Sequence, residues 1–445
     1  MGKRRTIHDP IHGGITLDGV FLELMDRHEM QRLRSIRQLG MGSYVFPGAN
    51  HTRFEHSLGV YHLSKRMAHA LGLDETDTTE VAAAALLHDV CHPPFSHTTE
   101  DLLEGVLGSD HMESAVKLIN GEIEHCRERD MDILGDVPPI SKVLSDAGIS
   151  PERVCELIAL PKSRRDGQGS ILDVGADRQA FFKTKDYAHQ IIHGPVDADQ
   201  MDYLMRDAHY TGVTLGAVDI ERLMSQMCVG NNRLVLRKGG IYAAEGLMVS
   251  RALMYSSVYY HKTVRIAELM LTKAANMSGL DFSDIHLMDD CEFMARLVRC
   301  ESPAASRLVR SLMHRRFYKN AYVRYSVDMD ENELAQFVKY SDKANKAALE
   351  AEIAARAGVE EHAVVVDIPS KGALLSAARV GKTDVSIIDD DGRIKSITRY
   401  SPLAKSLQNR DVFDWVISVS AEARHRAEVA EAAAKVLALD DADGG

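Results

Sequence analysis

The run VAAAALL at residues 81–87 is the feature that most narrows what this chain can fold into. It is apolar without interruption, which marks the last turns of a helix that is hydrophobic on every side and must be enclosed by other elements. The next two residues are His88 and Asp89. Burying an unpaired imidazole and carboxylate costs several kcal/mol, so the core has to supply either a closed hydrogen-bond network or a bound cation. The pattern predicts helix over residues 79–90, capped by Thr78 or Thr79 and stopped by Pro93–Pro94.

A chain of 445 residues can build a large core and a smaller companion lobe. With 45% hydrophobic and 27% charged residues, disorder is excluded as the main state. No apolar run is long enough to span a bilayer, and MGKRRTIHDP lacks the apolar segment of a secretory leader, so a soluble cytoplasmic protein is expected. The cysteines (91, 126, 155, 228, 291 and 300) form no CxxC pair, which suits reduced, mostly buried thiols. A net charge of −12 with no Lys/Arg run disfavours a duplex nucleic-acid footprint. Exonuclease activity ranks low because no basic stripe with interleaved aromatics is present. Small phosphates remain open as ligands.

Along the chain, residues 5–17 read as two extended pieces around a Pro/Gly turn, and a helical pattern runs from about 20 to Gly40. Helices are expected at 54–73, 111–128, 197–210, 216–229, 242–278 and 284–314, with a two-strand interruption at 232–242. After residue 317 the pattern becomes mixed. NAYVRYSVDM, AVVVDIP and a hairpin VSIIDDDGRIKSI accompany the helix KANKAALEAEIAARAG and a helical tail with an acidic end. The expected fold is mainly α: a helical core over 1–317 and a C-terminal α+β lobe over 318–445.

Of 20 histidines, a tight group falls between His51 and His111. His56 precedes the His88–Asp89 pair on its own helix with Arg53 one turn earlier, and Asp199 sits in the helical DADQMDYLMRD. Two imidazoles and two carboxylates make a mixed ligand set for Fe, Mn, Zn, Ni or Mg rather than a thiolate zinc site, and helices hold such ligands stiffly. Pro93 and Pro94 throw His92 and His97 onto a rigid loop beside the pair, where a phosphate-facing role is reasonable. His62 and His69 share the helix of His56 and read as core or surface residues; His12 reads as a turn residue. Arg206 reads equally as a phosphate cation or a structural ion pair.

RFEHSLGVYHL, LLHDVCHPPFSH and VDADQMDYLMRDAHYTGV together resemble the HD-domain phosphohydrolases. QRLRSIRQLGMGSYVFPGANHTRFEHSLGVYHL and TIHDPIHGGI narrow the likeness to the branch of SAM-and-HD-domain deoxynucleoside triphosphate triphosphohydrolases, in blocks from about residue 5 to 265. Because the hairpin begins at the first residues, no SAM domain is expected. The resemblance implies an HD helical core, with His56, His88, Asp89 and Asp199 as ligands of a divalent metal. It implies His111 as acid/base near the scissile phosphate, where Met112 replaces the family's acidic neighbour and Glu113 follows one position later. His92 and His97 would contact phosphate or the transition state, and Arg53 and Lys262 would offset polyphosphate charge. Tyr203, Asp207 and Tyr259 would hold the sugar, and Gln38 and Leu39 would line a base or sugar turn. Arg5, replacing a lysine, would join Asp26, Gln31 and Arg34 in a regulatory nucleotide site at a subunit interface.

The reaction so implied is hydrolysis of a deoxynucleoside triphosphate to deoxynucleoside and tripolyphosphate, by a homo-dimer or tetramer that takes a nucleotide substrate and a nucleotide activator. Two alternatives stay open: a phosphodiesterase or nucleotidase acting on another nucleotide, and a nucleotide-sensing oligomerisation module.

Overall fold

The structure, a computed structural model, describes residues 4–135, 137–159, 186–329, 331–368, 384–408 and 415–438. It opens with the antiparallel hairpin β1 (Arg4–Asp9) and β2 (Gly13–Asp18), which pairs Ile7 with Ile15. Period-two alternation buries Ile15 and Leu17 completely. The single helix expected up to Gly40 is instead two short ones, Val20–Asp26 and His28–Arg32, followed by 3-10 turns. Arg27 breaks the run: its backbone is extended, with ψ 145, and its side chain folds onto Glu29 in a bidentate pair.

Helix α1 (Arg53–Leu71) starts in a capping box formed by Thr52 and Glu55 and stops at Gly72, whose φ of 72 belongs to the left-handed region. Helix α2 (Glu75–Leu87) packs against it. Residues 81–87 are 0% exposed throughout, as an all-round apolar helix requires. Its ends differ from expectation. Asp74 caps it rather than Thr78 or Thr79, and Thr79 bonds back to the Glu75 carbonyl inside the helix. It also closes at Leu87, before the proline pair, so that His88 and Asp89 occupy the turn that follows.

Helices α3 (Glu100–Leu107), α4 (His111–Asn120), α5 (Asp186–His193) and α6 (Ala198–Thr211) come next. Both α5 and α6 pack on α1. The pattern over 242–278 resolves into α7 (Ile241–Met254), a π-helical turn at Tyr255–Tyr259, and α8 (Lys262–Met277). Ser302 and Pro303 split the expected 284–314 helix into Asp290–Val298 and Pro303–Met313.

Strands β3 (Met227–Gly230) and β4 (Arg233–Arg237) form a hairpin that begins inside the expected 216–229 helix. Beyond residue 317, β5 (Lys319–Tyr325), β6 (Val364–Asp367) and β9 (Trp415–Ala421) make a sheet in the order β5-β9-β6. Helices α9 (Lys343–Ala357) and α10 (Arg426–Val436) pack together beside this sheet. The hairpin of β7 (Ser386–Ile388) and β8 (Ile394–Ser396) turns at Gly392 and lies elsewhere: β7 pairs in parallel with β4. Val385, Ile387, Ile397 and Leu407 are buried in the same apolar cluster as α1 and α2. The acidic end of the tail lies outside the described residues. Among the described residues no helix is long and apolar enough to cross a membrane.

Candidate metal centre

Three helix ends converge on one point. His56 lies in the first turn of α1, His88 caps the C-terminus of α2, and Asp199 lies in the first turn of α6, where the helix dipole favours a carboxylate. His56 Nε2 is 3.0 Å from Asp199 Oδ1 and 3.7 Å from Asp89 Oδ2. His88 Nε2 is 3.4 Å from Asp89 Oδ1 and 4.0 Å from Asp199 Oδ1. Adjacent ligands of one ion bound at about 2.1 Å stand roughly 3.0–3.4 Å apart; His56, His88 and Asp199 come together closely enough to share a cation, and Asp89 groups with His92 and His111 beside them.

The far side of each ring is already committed. His88 Nδ1 bonds the Ala85 carbonyl at 2.7 Å, and His56 Nδ1 bonds Asp202 Oδ2 at 2.8 Å. Each bond has Nδ1 as its donor and turns Nε2 toward the centre. Both Nε2 atoms are buried without a hydrogen-bond partner. Burial lowers the His56 pKa, but Asp199 and Asp202 outweigh it and push it up to about 10, so a cation would take Nε2 in exchange for a proton. Burial likewise resists ionisation of Asp89, yet Arg53 and the neighbouring histidines hold it well below the usual carboxylate range. A pocket of ionised carboxylates and unpartnered imidazole nitrogens is chemically suited to a divalent ion.

Beside this cluster stands a second one. His92 is 0% exposed, neither ring nitrogen has a partner, and Nε2 is 3.5 Å from Asp89 Oδ1. It stacks on His111 with centroids 4.0 Å apart. The acidic partner of His111 is neither residue 112 nor 113: its Nδ1 bonds Glu100 Oε1 from α3. The other Glu100 oxygen bonds His97 Nδ1 at 2.8 Å. Although burial opposes it, the Glu100 bond raises the His111 pKa. Burial, Arg53 and His111 hold His92 well below the ordinary imidazole range. Two touching imidazoles thus favour opposite protonation states, an arrangement typical of acid/base work. Arg53 is buried, with Nη1 2.6 Å from Asp89 Oδ2 and Nε on Ser96 Oγ.

The loop between α2 and α3 is braced from behind. Arg32 donates to the carbonyls of Val90, His92 and Met288. Phe95 and Ser96 both have positive φ, 59 and 56, a strained pair for residues with side chains. Asp290 holds it by accepting the Phe95 N–H at 2.7 Å.

On another side, Asp207 accepts from His51 Nε2 and from the Tyr259 hydroxyl, each at 2.7 Å. Tyr203 meets Tyr259 edge-on, with centroids 6.0 Å apart. Gln38 bonds the His51 carbonyl through its backbone N–H, and its Oε1 is buried without a partner. Leu39 is half-buried against the core. Lys262 stands exposed at the start of α8. Arg251, which sequence reading passed over, donates to Gln200 Oε1 at 3.2 Å and lies over the Tyr255 ring. Its four-residue spacing to Tyr255 on a helical pattern was the available signal.

Arg206 takes the structural alternative: it forms a fork with Asp202, not Asp207, and a third bond to Asp9. His12 occupies the expected turn, and its ring also reaches Asp202 Oδ1 at 2.6 Å. His62 lies against His12, and His69 is exposed. At the surface Arg5 pairs with Asp26 at 3.0 Å, Arg34 stacks on Phe54 and bonds Gln31, and Gln31 bonds the Met25 carbonyl.

The HD domain family model matches residues 53–207, and the HD associated region matches residues 218–444. The chain belongs to the HD-domain phosphohydrolases and is a metal-dependent phosphohydrolase. It is 32% identical over 425 residues to an uncharacterized protein of Methanocaldococcus jannaschii, covering 94% of this chain and 79% of that one. It is 31% identical over 290 residues to the human deoxynucleoside triphosphate triphosphohydrolase SAMHD1, covering 61% of this chain and 44% of the human protein. The match to the Bacillus subtilis protein YwfO is 35% identical and spans 55% of that protein, so the chain matches about half the length of these two relatives. Among solved structures, a hypothetical protein from Aquifex aeolicus superposes with a TM-score of 0.67 at 25% identity, covering 97% of this chain and all of that one. A phosphohydrolase from Bacteroides thetaiotaomicron shares the fold, with a TM-score of 0.64 at 24% identity over 94% of this chain and 99% of that one.

Proposed function

We propose that this chain hydrolyses deoxynucleoside triphosphates to deoxynucleoside and tripolyphosphate, with His56, His88, Asp89 and Asp199 holding one divalent cation (Fe, Mn, Zn, Ni or Mg). The observation that carries the reading is the pair of orphaned ring nitrogens, His56 Nε2 and His88 Nε2, facing two carboxylates beside the hydrogen-bonded His111–Glu100 couple. When bound, such a cation polarises a phosphoryl oxygen and eases deprotonation of water.

The protein's own groups supply the rest. Water adds to the α-phosphorus and the bond to the 5′-oxygen breaks. His111, kept protonated by Glu100, gives its proton to the departing 5′-oxygen. His92 and His97 flank that ring, where they would contact the phosphate, and Arg53 and Arg251 would offset phosphate charge. Asp207 has lone pairs left to accept a 3′-hydroxyl, and the Tyr203–Tyr259 edge would crowd a ribose 2′-hydroxyl. Gln38 and Leu39 lie next along this wall, and Lys262 lies beyond the π turn.

The likeness to proteins named triphosphohydrolases supports this substrate over other nucleotides. A cytoplasmic homo-oligomer that takes a regulatory nucleotide at Arg5, Asp26, Gln31 and Arg34 belongs to the same proposal, as does a division of the chain near residue 317. The test is incubation of metal-loaded protein with four dNTPs and their ribo counterparts, with and without dGTP as activator, resolved by ion chromatography. Tripolyphosphate from deoxy substrates is expected. Inorganic phosphate or pyrophosphate as the product would overturn the bond assignment, and equal ribo turnover would overturn the sugar assignment.

A further inference from the structure

Asp202 does not line the metal centre; it stands directly behind it, wholly buried. Its Oδ2 receives His56 Nδ1 at 2.8 Å and Arg206 Nε at 2.8 Å, and its Oδ1 receives His12 Nε2 at 2.6 Å and Arg206 Nη2 at 2.8 Å. An ionised carboxylate has about four lone-pair sites, and here all four are filled by donors. Asp202 therefore has no capacity left to bind a cation. It can act only on the groups that donate to it, and one of these is the proposed ligand His56.

The same network reaches the start of the chain. Arg206 Nη1 donates to Asp9 Oδ2 at 2.8 Å, and Asp9 Oδ1 accepts the backbone N–H groups of Ile11 and His12. The β1–β2 turn is thus tied to the guanidinium that fixes Asp202, while its His12 bonds Asp202 directly. Gly59, one turn after His56 on α1, leaves the room: a Cβ there would overlap Asp202 Oδ1. Close packing and full hydrogen bonding leave the carboxylate a single position.

We infer that Asp202 is the positioning residue of the metal centre and that the N-terminal hairpin, through His12, is a working part of it. The bond from His56 Nδ1 fixes the ring with Nε2 aimed at Asp89 and Asp199; losing that hold lets the ring turn. Partners of this kind are worth about 10–100-fold in metal affinity. The inference rests on the metal-centre reading above.

The experiment uses the full chain stripped of metal and titrated with Co(II), which reports both affinity, by competition with a chelator, and ligand geometry, by its visible absorption. His12→Ala and Asp202→Asn are each expected to weaken Co(II) binding about 10–100-fold and to shift the absorption bands. His12→Gln, whose amide can still donate to Asp202 Oδ1, is expected to recover most of the affinity. The hairpin variants guard against Asp202→Asn failing to fold, and thermal unfolding of the metal-free proteins separates stability from binding. Wild-type affinity and absorption in the folded His12→Ala and Asp202→Asn proteins would overturn the inference while leaving the centre intact. No Co(II) uptake by the wild type would bring down the centre itself, and this inference with it.

Discussion

Two buried polar clusters in this molecule are built from similar groups and finished differently. Where α8 meets the C-terminal lobe, Lys273 Nζ donates to Glu350 Oε2 and to the Val364 carbonyl, both at 2.8 Å, and Glu350 Oε1 accepts the Val366 N–H at 2.8 Å. Protein atoms satisfy that pair. Around Asp89, by contrast, His56 Nε2, His88 Nε2 and both nitrogens of His92 are buried with no partner. Buried polar atoms are rarely left unsatisfied, because each costs about 1–3 kcal/mol. The first cluster joins two parts of the fold; the second is built to receive something that is not protein.

The sharpest way to break this contrast is to remove one member from each side. Asp199→Ala takes a ligand from the open cluster; turnover is expected to fall by about 10³-fold or more and metal content to drop, while metal-free stability stays within about 1 kcal/mol. Metal analysis, dNTP assays and chelator-treated thermal melts check all three. Glu350→Ala, in the closed cluster, leaves Lys273 buried and unpaired; a stability loss of about 3–5 kcal/mol is expected in denaturant unfolding, with activity per folded molecule retained. If the two variants exchange these outcomes, the contrast is wrong.

A smaller effect sharpens the division of labour within the open cluster. Glu100→Gln removes the charge that keeps His111 protonated, so kcat is expected to fall by about 10²-fold with metal content unchanged. The least effect concerns pH. Burial lowers the His62 pKa to about 4 from an ordinary 6.5, so between these values the unfolded chain binds more protons than the folded one. Stability should therefore decline as pH falls from about 6.5 toward 4, and His62→Gln should flatten that decline by about 1 kcal/mol once solvent screening is allowed for. Urea unfolding at pH 7 and at pH 5 measures the difference.

What could be read in the sequence was whatever local spacing encodes. The all-apolar run of α2 announces itself within a few residues and the motif blocks carried the family, whereas the ends of that helix, Asp74 as its cap and a stop at Leu87, were not read correctly. The missed residues depend on partners outside their own helix. His12 meets Asp202 across 190 positions, and Glu100 meets His111 around a bend between two helices. No periodicity marks either pairing. Helix 20–40 failed for a related reason: its apolar pattern continues through Arg27, but the Arg27–Glu29 pair favours a backbone turn there.

The parallel pairing of β4 with β7 has a consequence for biosynthesis. A nascent chain that has just emerged through residue 317 already contains the complete His/Asp constellation, yet β4 still has one naked edge, because its neighbour, Ser386–Ile388, remains untranslated. Open strand edges invite pairing with other molecules. Premature termination between residue 317 and Ser386 should thus yield a product that sticks to itself, even with His56, His88, Asp89 and Asp199 all present.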